Sequence, residues 1–135
     1  MNIKIDKKFN INYSENHLYK GSSKKGNEII IFGDLIGAIN ENQLFNSEEA
    51  FQKIVTLSDQ NYDLNVFFRA VIGKCCALIK TKNKIFIYIS SSSPGFYFTI
   101  NNQNTLIISE HESEIYKFAN FKTLNQSALI NMIVS

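Results

Sequence analysis

"TKNKIFIYISSSSPGFYF" (residues 81–98) sets four consecutive serines between two apolar stretches. On one side "KIFIYIS" (84–90) is rich in β-branched and aromatic residues, and on the other "GFYFTI" (95–100) repeats that character. "KCCALIK" (74–80) precedes them and "TLIIS" (105–109) follows. The four segments are joined by "TKNK", "SSSPG" and "NNQN", each short enough for a tight connection. Such spacing predicts a four-stranded antiparallel meander. The run Ser90–Ser93 then falls in its middle turn, where hydroxyls bond readily to nearby backbone. A phosphate cradle fits poorly, since Gly95 is the loop's one glycine, no helix start follows and no lysine lies within it. A phosphoacceptor role has no flanking signature to support it.

Working outward, "EIIIFGDL" (28–35) is a continuous apolar run that predicts a strand buried on both faces. Gly33 and Gly37 mark an irregular exit from it. Asn46 with Glu49 three residues on has the form of a capping box. Phe51, Ile54 and Val55 follow at helical spacing. Asp63 caps a second short helix with Leu64, Phe67, Phe68 and Val71, for which Gly73 is the expected stop. At the start of the chain, "KFNINYSENHLYKG" (8–21) alternates around Phe9, Ile11 and Tyr13 and then turns, which predicts a hairpin. At the end, "EHESEIYKF" (110–118) and "NQSALINMIV" (125–134) predict two helices, the second with Ala128, Leu129, Met132 and Ile133 on one face. No internal repeat interrupts this order. Strands, two helices, a meander and further helices make an α+β chain.

The 135 residues fit a single domain, 1–135, large enough to bury a core. A composition of 44% hydrophobic and 19% charged residues excludes a disordered chain. The net charge of +2 is too small to argue for nucleic acid. Residues 1–25 hold six lysines against Asp6 and Glu15, leaving eight of fourteen basic and ten of twelve acidic residues for the rest. Lysines on a first hairpin guard an exposed edge. The longest apolar patch, "IIIFGDLIGAI" (29–39), is broken by Asp34 and two glycines, so no membrane span is expected. The charged start "MNIKIDKKF" has no apolar signal core. Cys75 and Cys76 are neighbours in a strand and face opposite ways, which suits reduced core thiols of a cytoplasmic protein.

Residues 28–135 resemble the N-terminal glutaminase-like domain of asparagine synthetases and related class II glutamine amidotransferases. "FGDL" (32–35) stands where that family has Asn-Gly-Glu-Ile, and "IGKCCALI" (72–79) where it has Gly-x-Phe-Ala-Phe. "TKNKIFIYISSSSPGFYF" is similar to its strand, Arg-Asp turn and Pro-Leu-Tyr-Tyr strand, with Pro94 and Tyr97 in place. "TLIISEHESEIYKF" (105–118) matches its strand followed by a Ser-Glu helix, and "LNQSALINMIV" (124–134) the segment that opens the synthetase half. The resemblance implies an Ntn-hydrolase-like sandwich, two antiparallel sheets face to face and flanked by helices. It also implies a synthetase domain, continuing past Ser135 or on a partner protein.

The same comparison implies that the chemistry is lost. The family attacks glutamine with an N-terminal cysteine whose own amine is the base. Here Asn2 follows the initiator Met, and the serines replace Arg-Asp, whose guanidinium fork no hydroxyl reproduces. Phe32 replaces the oxyanion-hole Asn, while Gly33 and Asp34 match the Gly and Glu that follow it. No catalytic residue is therefore expected, and Phe32, Gly33, Asp34 and Gly73 are the candidates for a remnant ligand pocket. No cofactor is expected. Two histidines, His17 and His111, and no C-x-x-C pattern argue against a metal. Glu110, Glu112 and Glu114 suit a helix start better than a paired-carboxylate site. The expected function is an inactive amidotransferase-like domain supporting an ATP-dependent, amide-forming enzyme. The alternative is a small α+β interaction domain that binds another protein or a second copy through its exposed sheet edge or last helix.

Overall fold

The computed structural model describes residues 2–14, 16–60, 63–90, 96–118 and 133–134. These form an α+β protein whose sheets are antiparallel throughout. The chain divides into two compact units, one from residues 1–16 and 94–129, the other from 17–93 and 130–135.

The first unit is a four-stranded sheet of β1 (Asn2–Ile5), β2 (Ile11–Tyr13), β10 (Tyr97–Ile100) and β11 (Leu106–Ser109), in the order β10-β11-β1-β2. Ile3 faces Tyr13 in β2 and Ile108 in β11, and Ile108 in turn faces Phe98. Ile3, Phe98 and Ile108 are fully buried. The β1–β2 turn is held by Asp6, whose carboxylate accepts from the Lys8 and Asn10 backbone nitrogens at 2.8 and 3.0 Å. These bonds, with the Asn10 side-chain amide, lower the Asp6 pKa. The helix α3 (Glu112–Phe118) packs on β10 and β11 and buries Ile115.

The second unit holds a five-stranded sheet of β3 (Tyr19–Ser22), β4 (Glu28–Gly33), β8 (Cys75–Lys80), β9 (Ile85–Ile89) and β12 (Ile133–Val134), ordered β12-β9-β8-β4-β3. Strands β4, β8 and β9 are apolar on both faces, as expected for β4. One face presents Ile29, Ile31, Cys75, Ala77, Ile79 and Tyr88 to α1 (Ser47–Ser58) and α2 (Leu64–Phe68). Ile30, Phe32, Cys76 and Leu78, on the opposite face, are equally buried. Phe51 of α1 stacks on Tyr19 at 4.8 Å between ring centroids, and Phe68 of α2 on Tyr88 at 5.2 Å. Such pairs add about 0.5–1.5 kcal/mol each beyond area burial. The capping box is present: Asn46 Oδ1 accepts from the Glu49 backbone at 2.9 Å, and Glu49 Oε1 accepts from the Asn46 backbone at 3.0 Å. Asp63 caps α2, accepting from the Asn65 backbone at 3.0 Å.

A third, three-stranded sheet in the same unit joins β5 (Gly37–Asn40), β6 (Gln43–Asn46) and β7 (Val71–Ile72) in the order β6-β5-β7. Its two-residue turn, Glu41–Asn42, has φ of 51° and 63°. That is the backbone a tight hairpin needs if it is to follow the twist of its strands.

Four sequence expectations are corrected. Residues 8–21 are not one hairpin, because β2 pairs with β1 while β3 pairs with β4 in the other unit; Phe9, at φ 65°, lies in a turn. The four later strands are two hairpins in different sheets, β8–β9 and β10–β11, not one meander. Gly73 does not stop α2, which ends at Phe68; Val71–Ile72 between them pair with β5. In the expected last helix, Ile133–Val134 are instead a strand beside β9. Ala128, Leu129 and Met132, like Ser91–Ser93, Pro94 and Gly95, lie outside the described residues.

Candidate functional site

Strand β4 leaves the five-stranded sheet at Gly33 and becomes β5 of the three-stranded one, while β7 makes the reverse passage into β8 at Gly73. The two passages run side by side. Asp34 N donates to Lys74 O at 2.8 Å and Ile36 N to Ile72 O at 2.9 Å. Gly33 has φ +91° and Gly73 φ +126°. A Cβ on Gly33 would run into Lys74 O, and one on Gly73 into Asp34 O. Both glycines are therefore required by a close backbone crossing.

Ser90, at the end of β9, locks this corner. Its hydroxyl accepts from Cys75 N at 2.9 Å and donates to Gly73 O at 2.5 Å, while Ser90 N donates to Cys75 O at 3.1 Å. Ser90 is only 2% exposed. The first residue of the serine run is thus a buried polar clamp, satisfied by backbone, as a buried hydroxyl must be.

Of the predicted pocket, Gly33, Asp34 and Gly73 are brought together. Phe32 sits one residue earlier in the ladder, opposite Cys76, and is fully buried. The backbone nitrogen of Asp34 is engaged across the crossing and its side chain is exposed. What this corner offers chemically is one exposed carboxylate beside Lys74.

The cysteines are adjacent to this corner but sealed from it. Both are fully buried, and burial pushes the Cys75 thiol up to about 11 against a modest opposing effect of the Ser90 hydrogen bonds. Burial, reinforced by Cys75, raises Cys76 further. A thiol held protonated is a poor nucleophile and a poor metal ligand. His17 and His111 are exposed. Among the described residues no three His, Cys, Asp or Glu side chains come together as a metal site. Two of the three glutamates occupy local roles: Glu112 accepts from Tyr116 Oη at 2.9 Å, and Glu114 from Ser109 Oγ at 2.7 Å.

A second feature escaped the sequence reading. Beside β6 runs an open groove of about 520 Å³ along α1, lined by Phe45, Asn46, Glu48, Glu49, Gln52, Lys53 and Thr56. On the other side of the small sheet, Ile39, Leu44 and Ile72 are 57%, 76% and 42% exposed. Ile39 faces Leu44 across the hairpin, and Ile72 faces Gly37. The signal was the asparagine-flanked turn "NENQ" (40–43) between Ile39 and Leu44.

No family model, no curated protein and no solved structure matches this chain. Among the described residues no helix is long and apolar enough to cross a membrane.

Proposed function

We propose that this chain is a catalytically silent, amidotransferase-like domain that supports an ATP-dependent, amide-forming synthetase, either continuous with it or a separate partner protein. In this reading the antiparallel sheets are the frame of an Ntn-hydrolase-like sandwich, and the protein works in a reducing, cytoplasmic compartment where its two thiols stay free. The observation that carries the reading is the Ser90 clamp beside two sealed cysteines. The turn that bears Arg-Asp in the resembling family here begins with a hydroxyl spent on backbone, while the chain's own thiols are buried and held protonated. The glycine crossing at Gly33, Asp34 and Gly73 stands as the remnant of the pocket floor.

The test is ammonia release from glutamine by the purified chain, with and without a thiol-blocking reagent. The expected result is no thiol-sensitive turnover, together with binding to the cognate adenylating synthetase in a titration. Thiol-dependent glutamine hydrolysis would overturn the silent reading.

The exposed Ile39, Leu44 and Ile72 favour a second reading, an α+β interaction domain with no link to amide chemistry. A chain that neither binds the synthetase nor alters its ammonia-dependent rate, yet binds another protein, would decide for it.

A further inference from the structure

We draw no further inference here: the strongest candidate, the exposed apolar face that Ile39, Leu44 and Ile72 make on the three-stranded sheet beside the uncharged strand β6, carries nothing because nothing in the structure shows what covers it.

Discussion

The Ser90 hydroxyl bridges Cys75 N, at 2.9 Å, and Gly73 O, at 2.5 Å, so one side chain closes the corner at which two sheets of the second unit exchange strands. Replacing it with alanine leaves buried backbone groups without that partner. Ser90→Ala should lower unfolding stability by about 1–3 kcal/mol. The check is urea denaturation, with a lower midpoint at unchanged slope.

The glycines of that corner should rank sharply against a control. Gly73→Ala combines a positive φ with a collision against the Asp34 carbonyl. It should cost more than about 3 kcal/mol, or prevent folding. Gly26 also has a positive φ, +89°, but open space around it. Gly26→Ala should cost only about 1 kcal/mol. Thermal midpoints of the two variants provide the comparison, and equal losses would contradict the crossing as the cause.

The start of α1 depends on a reciprocal pair of bonds between Asn46 and Glu49. Asn46→Ala should cost about 1 kcal/mol and Asn46→Asp close to nothing. Chemical denaturation of both variants tests this, and the aspartate supplies the rescue.

Alkaline pH should destabilise the protein. Burial raises Cys75 from an ordinary 9.0 to about 11. Burial first, and then the Asp63 charge, raises Tyr88 from 10.0 to about 12. Below pH 9 these groups are protonated in folded and unfolded chains alike, and their contribution is fully present. Above it the unfolded chain releases protons that the folded chain retains, so stability falls as pH rises. Cys75 alone should remove about 2–3 kcal/mol by pH 11. Urea midpoints between pH 8 and 11 should decline steadily, and native-state thiol labelling at pH 8 should be slow until denaturant is added.

Local interactions were legible in the sequence, and distant ones were not. The Asn46–Glu49 box, the Asp63 cap and the continuous burial of Glu28–Gly33 depend on residues within a few positions of one another. The β8–β9 and β10–β11 hairpins follow from short polar turns for the same reason. Which sheet a hairpin joins depends on partners far away. "SENH" (14–17) reads as a turn between Tyr13 and Tyr19, yet their strands pair with β1 and β4. The β5–β6 turn was hidden because Glu41, not glycine, takes one of its positive-φ positions. Gly73 followed an apolar helical stretch and looked like a cap, but its φ serves the crossing with Asp34. Gly33, Asp34 and Gly73 meet at the crossing while Phe32 is buried one residue earlier, and Ser90's role depends on Cys75, fifteen residues away.

Strand β1 lies between β2 and β11, with Asn2 opposite Ser109. During synthesis, the first strand made therefore waits for nearly the last one before its sheet can close. At about 5–20 residues per second that interval is on the order of 5–20 s. Until then the β1–β2 hairpin stands alone, and an isolated hairpin is marginal in water. The five-stranded sheet can assemble all but β12 from residues 19–89 during that wait. Residues 2–13 thus settle later than most of the second unit, and a bulky group attached near them would burden the step that closes their sheet.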